Sequence, residues 1–293
     1  MSLRTSFKFY ESKCVSKHIY AILPFYFSLL PLSCIYNSLD KSIHTISGIK
    51  TLVSSSGEGR TLLCLHGWGG SHESFTELRE AMRNDNVRII APDLPGFGES
   101  DDPEFSWSVD DYANFIEELV KELNLSNVLL IGHSFGGRIS IKLASRKCEW
   151  IDHLYLCASA GLKNREYIKK KIGAWLACIG NAIFSLPVLK SIKSFARKVL
   201  YKLLRVHDYE ETSGIMRETM MKVIEEDLEG LLDTISQPTD IFWGTKDKIT
   251  ALRDGKIMNK KIVQSNLYTY RGTRHGVHRD RASEIAEIIR KQL

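Results

Sequence analysis

VLLIGHSFGGRIS, Val128 to Ser140, sets a serine on a turn between an apolar strand signal and a helix signal. Val128 to Ile131 is a short run of strand formers, and Arg138 to Ser145 can continue as helix. Between them, Gly132-His133-Ser134-Phe135-Gly136 fits the GxSxG pattern of a nucleophile elbow. A serine hydroxyl is a weak nucleophile, so the chemistry needs it held out toward a base and a substrate. An abrupt strand-to-helix turn forces a strained backbone on that serine, and flanking glycines remove the Cβ atoms that would clash there. The helix start behind it supplies free N–H groups and a positive dipole end where an oxyanion would form.

Outward from this turn, short apolar segments alternate with helical ones. Ile43 to Ile46 and Ile49 to Val53 are strand signals joined at Ser47-Gly48, and Ser56 to Gly59 turns the chain again. Thr61 to Leu65 reads as a strand buried on both faces. Helix is expected over Glu73 to Met82 and strand over Val87 to Ala91. Ser108, with Asp111 three residues on, caps a helix whose stripe is Ala113, Ile116, Val120 and Leu123. Strands are expected at Leu154 to Ala158, Asp240 to Trp243 and Leu267 to Tyr270, and helices at Leu252 to Lys260 and Ala282 to Gln292. Such alternation predicts an α/β fold with a mostly parallel sheet and helices on both faces.

A serine nucleophile needs a histidine base and an acid that orients it. In a strand-loop architecture of this kind the expected chain order is serine, acid, histidine. Of nine histidines, only His275 and His278 follow the last strand signal, in Arg271-Gly272-Thr273-Arg274-His275-Gly276-Val277-His278. His275 is preferred because it comes sooner after the strand, with His278 as runner-up. His133 adjoins the serine but is expected to point elsewhere. The acid is expected at Asp247, where Phe242-Trp243-Gly244-Thr245-Lys246-Asp247 leaves a strand for a polar turn. Asp240 opens that strand and would lie at its wrong end. His66-Gly67-Trp68-Gly69-Gly70 follows an earlier strand, and the backbone N–H groups of Trp68 and Phe135 are assigned to the oxyanion hole.

These segments together resemble the alpha/beta-hydrolase fold family of esterases, lipases and C–C hydrolases. The resemblance spans about residues 43 to 293 and rests on His66 to Gly70, Pro92 to Ser100, Gly132 to Gly137, Phe242 to Asp247 and Gly272 to His275. It implies a sheet of about eight strands, a helical lid after the sixth, and cofactor-free acyl transfer through Ser134, His275 and Asp247. The expected substrate is a small apolar carboxylic ester, with carbon–carbon bond hydrolysis by the same triad as the alternative and a non-catalytic binding protein behind both. A serine at the nucleophile position argues against the related dehalogenases and epoxide hydrolases, which use aspartate there.

The rest of the chain bounds these expectations. The 293 residues divide into an N-terminal extension (1–40), a core (41–160 and 237–293) and a helical cap (161–236). Ile172 to Phe184 in the cap is uncharged, and Leu189, Ile192, Phe195, Val199 and Leu203 keep helical spacing. Lys163 to Arg205 holds eleven Lys or Arg and one acid, Glu166, while Asp208 to Glu229 is acidic; pairing between them is expected. A net charge of +5 and the lack of a recognition motif give no reason to expect nucleic acid. Six cysteines show neither a CxxC pair nor metal-ligand spacing, so no metal is expected. Ile19 to Tyr36 is uncharged and mostly apolar after a basic lead, long enough as helix to span about 27 Å. Pro24 and Pro31 interrupt it. A membrane anchor or uncleaved signal and an extension packed on the domain both remain open, as do a membrane-associated or cytoplasmic location and the oligomeric state.

Overall fold

The apolar run at Val128 becomes strand β5 (Val128–His133), buried along its whole length near the middle of an eight-stranded sheet. The structure is a computed structural model and describes residues 39–163 and 214–293. The remaining strands are β1 (Asp40–Ile46), β2 (Ile49–Ser56), β3 (Arg60–Leu65), β4 (Val87–Pro92), β6 (Ile151–Cys157), β7 (Thr239–Gly244) and β8 (Ser265–Tyr270). Their order is β1-β2-β4-β3-β5-β6-β7-β8. β2 pairs antiparallel with β1 and with β4, and every later pairing is parallel. The β1–β2 hairpin turns on Ser47 and Gly48, with φ of 49° and 83°, the signs a tight two-residue hairpin requires.

Successive side chains point to opposite faces, which explains why the central strands read as unbroken apolar runs. Leu63, Leu65, Leu130, Leu154 and Leu156 pack on one face. Leu62, Cys64, Leu129, Ile131, Tyr155 and Cys157 pack on the other. Helix α2 (Val109–Glu122) covers the first face beside α3 (Phe135–Ser145), and Met258 of α5 (Leu252–Lys261) packs in the same cluster. Ser108 caps α2, its hydroxyl accepting from the Asp111 N–H while the Asp111 carboxylate accepts from the Ser108 N–H. Phe75, Leu78, Val277, Ile285 and Ile289 cover the second face.

The sequence predicts one helix over Glu73 to Met82; the structure instead has a 3-10 turn at His72–Phe75 and then α1 (Thr76–Ala81). The buried Asp93 carboxylate accepts from the His72 N–H at 2.6 Å and pairs with its ring at 2.8 Å, pinning the first turn. The last helix also stops early, α7 (Ala282–Ile289) giving way to a 3-10 turn at Arg290–Gln292. Arg290 there reaches Asp85 and the Ala81 carbonyl.

Of the cap expected at 161–236, the stretch holding Ile172 to Phe184 and Leu189 to Leu203 lies outside the described residues, as does Ile19 to Tyr36. The described part contains α4 (Gly214–Glu225), which turns Met216, Thr219 and Val223 inward, and a 3-10 turn at Glu229–Thr234. The Trp107 N–H donates to Thr219 Oγ1 at 3.0 Å, and the Arg138 guanidinium donates to the Glu226 carbonyl at 2.8 Å. Among the described residues no helix is long and apolar enough to cross a membrane.

From β3 the chain steps to β4 on one side and then to β5 on the other. That reversal opens a crevice outside the carboxyl ends of β3 and β5, where open α/β sheets place their ligands.

Candidate active site

Ser134 follows β5 at this crevice and holds φ 51° and ψ −106°, a conformation that L-residues avoid. Its surroundings fix it. The Ser134 N–H donates to the Cys157 carbonyl at 3.1 Å, and its own carbonyl accepts from the Ala160 N–H at 3.0 Å. The Gly136 N–H donates to the His66 carbonyl at 3.0 Å, tying the elbow to the end of β3. A Cβ on Gly136 would lie 2.0 Å from the Leu65 carbonyl oxygen, and one on Gly132 would lie 2.5 Å from the Gly136 oxygen. Only glycine lets the strand, turn and helix approach so closely.

Phe135 begins α3, so its N–H has no partner within the helix. Trp68 lies on the loop after β3, which the buried His66 organises. The His66 Nε2 accepts from the Leu94 N–H at 2.9 Å, and its Nδ1–H donates to the Gly67 carbonyl at 2.8 Å. Burial pushes the His66 imidazole down to about 4, which keeps it in this neutral tautomer. The Trp68 ring packs edge-on against Phe97 and Phe135, with centroids 4.9 and 5.2 Å away. No hydrogen bond from the Trp68 or Phe135 N–H forms among the described residues.

Asp247 and His275 leave the carboxyl ends of β7 and β8 on two loops laced together. The Thr245 N–H donates to the Tyr270 carbonyl at 3.0 Å and the Lys246 N–H to the Thr273 carbonyl at 2.9 Å. A Cβ on Gly244 would meet the Thr273 and Arg274 carbonyls at 2.4 Å, so this glycine too permits a backbone contact. The His275 Nδ1–H donates to Asp247 Oδ2 at 2.8 Å. The Asp247 side chain is fully buried and that of His275 is 18 % exposed. Asp247 Oδ1 accepts from the Ile249 N–H at 2.8 Å, and the Thr250 hydroxyl lies 2.9 Å from Oδ2. Burial alone would raise the Asp247 carboxyl; the hydrogen bond and charge of His275, with the Ile249 and Thr250 donors, outweigh it and hold the group below its ordinary value.

The structure thus brings Asp247 and His275 into direct contact and sets Ser134 and Phe135 after β5 and Trp68 after β3, at the same carboxyl edge of the parallel strands. No hydrogen bond joins the Ser134 hydroxyl to the His275 imidazole among the described residues. His278 does not reach the carboxylate. It is buried in α6 (Val277–Asp280), stacked on His133 with ring centroids 3.8 Å apart, and burial pushes its imidazole down to about 3. Asp240 lies at the far end of β7, bonded to His153 at 2.9 Å. Thr250 escaped the sequence reading, although its position three residues after Asp247 is one from which a side chain reaches back to a turn carboxylate. The contact of His133 with the His275 carbonyl, across 142 residues, had no sequence signal. Among the described residues no three His, Cys, Asp or Glu are grouped to hold a metal ion.

The sequence profile described as alpha/beta hydrolase fold matches residues 60–214. Lipase 1 of Psychrobacter immobilis is 28% identical over 247 residues, covering 78% of this chain and 75% of that protein. The AB hydrolase superfamily protein YisY of Bacillus subtilis is 27% identical over 267 residues, covering 84% of this chain and 96% of its own length. Among solved structures, an esterase from Exiguobacterium antarcticum superposes with a TM-score of 0.68 at 22% identity, covering 86% of this chain and 99% of that one.

Proposed function

The chain belongs to the alpha/beta hydrolase family of enzymes, and on that premise we propose that it is a serine hydrolase acting on a small apolar carboxylic ester. The observation that carries this reading is the 2.8 Å pairing of the His275 Nδ1–H with a buried carboxylate, on loops beside a serine held at φ 51°. With Nδ1 committed to Asp247, Nε2 is the nitrogen that can take a proton. Ser134 Oγ attacks the carbonyl carbon as His275 removes its proton. The Trp68 and Phe135 N–H groups receive the developing oxyanion, a kind of donor worth about 3 kcal/mol each in the transition state. The tetrahedral adduct collapses as His275 protonates the departing alcohol. A water activated by the same imidazole then releases the acid from Ser134. The preference for an apolar acyl group rests on the uncharged stretch Ile172 to Phe184.

Hydrolysis of p-nitrophenyl esters of graded chain length, set beside cleavage of a vinylogous diketone, tests the reading. Turnover of apolar esters exceeding turnover of the diketone is expected. Faster cleavage of the diketone than of every ester would assign the triad to carbon–carbon bonds instead.

A further inference from the structure

His133 precedes Ser134, and its Nε2–H donates to the backbone carbonyl of His275 at 3.1 Å, across 142 residues of sequence. Because a carbonyl can only accept, that nitrogen carries the proton. The opposite edge of the ring closes on the oxyanion loop, where a Cβ on Gly67 would lie 2.9 Å from His133 Nδ1 and 3.4 Å from Ser134 Cβ. His278 stacks on the ring at 3.8 Å with planes 30° apart, and the His275 ring lies 4.8 Å away. His133 therefore meets the base loop, the oxyanion loop and α6 at once.

We propose that His133 is a positioning residue: as a neutral donor it holds the carbonyl of His275 and so fixes the base relative to the nucleophile elbow. This inference rests on the triad reading above. The groups bearing on the His133 ring are His275, His278 and Arg279, with no carboxylate among them, so a second proton there would have no counter-charge. Burial acts in the same direction and holds the imidazole well below its ordinary value. A ring in this state keeps one N–H and cannot repel the base that it holds. Without that N–H, the His275 carbonyl loses its partner and the loop is free to drift from the reacting oxygen.

Two measurements on the full chain test this. Imidazole ¹⁵N NMR of the unmodified protein should show His133 as the Nε2–H tautomer across neutral pH; the Nδ1–H tautomer would overturn the proposal. The second compares His133→Leu, which removes the donor, with His133→Gln, whose amide nitrogen can occupy the Nε2 position. Leucine should lower kcat on p-nitrophenyl esters by roughly tenfold to a hundredfold, the scale of a small misplacement of a reacting group, with KM little changed. It should also shift the downfield resonance of the His275 Nδ1 proton, and glutamine should recover most of both. An unaltered kcat and resonance in His133→Leu would refute the positioning role while leaving the triad intact. An equal loss in the two variants would mark His133 as packing alone. If no ester is turned over by the unmodified protein, the triad reading has failed, and the tautomer and resonance still decide the role of His133.

Discussion

Ser134 keeps its strained backbone only because its neighbours remove every alternative, so substitutions there separate chemistry from folding. By analogy with serine proteases, Ser134→Ala and His275→Ala should each lower kcat by about 10⁶, and Asp247→Asn by about 10⁴, with Tm barely altered for the serine variant. Steady-state hydrolysis of a p-nitrophenyl ester measures all three. An active His275→Ala with an inactive His278→Ala would move the base to the runner-up, against the burial of His278 in its stack. Gly136→Ala is the opposite kind of change. Its Cβ would lie 2.0 Å from the Leu65 oxygen, so the elbow must shift. Overpacking of this kind costs about 1–3 kcal/mol, and both Tm and ester turnover should fall together. The strained turn at Ser134 and the contact between Asp247 and His275 were legible because each residue follows a strand signal. His133 was not, since its partner lies 142 residues away, and Thr250 was missed although its partner Asp247 is only three residues before it.

At the scale of elements, sequence serves best where one local cause dominates. The Ser108–Asp111 pair caps α2 as its spacing implies, with the Ser108 N–H donating to the Asp111 carboxylate at 2.7 Å. Ser108→Ala should therefore cost about 1 kcal/mol, a Tm decrease of roughly 2–4 °C in a domain of this size, with ester turnover kept. Central strands were legible because burial on both faces leaves unbroken apolar runs such as Val128 to Ile131. Helix Glu73 to Met82 was misread at its start for the converse reason. The break falls at Phe75, whose φ of −112° and ψ of 19° leave the helical region. The Asp93 carboxylate on the His72 N–H fixes the start of the turn, through a contact between residues 21 apart that no window of helical periodicity contains.

At the scale of the molecule, three buried imidazoles predict how stability responds to acid. His66, His133 and His278 are all held below the ordinary value of 6.5 by burial, to about 4 for His66 and about 3 for His278. The unfolded chain takes up their protons first. The stability they contribute is present above about pH 6.5 and is lost as pH falls toward the folded values. Each histidine should remove about 1.4 kcal/mol per pH unit over that window. Asp247, held below its ordinary value by His275 and its other donors against the pull of burial, adds its own loss only at still lower pH. Urea midpoints between neutral pH and pH 5 check this, and His278→Gln should flatten the slope by one proton's share. A stability that does not change over that range would contradict it. For the extension, we propose membrane attachment through Ile19 to Tyr36; a chain without residues 1–40 should then leave the membrane fraction, with its rate on p-nitrophenyl esters equal to that of the full chain.

The claim on which the rest depends is that the hydroxyl of Ser134 is the attacking group. A fluorophosphonate probe applied to the folded protein at neutral pH, with the adduct located by peptide mass spectrometry, measures it directly. One adduct on Ser134, absent from Ser134→Ala and much slowed in His275→Ala, is the predicted result. A folded protein that takes up no probe, or a Ser134→Ala variant labelled as fully as the unmodified chain, would contradict it.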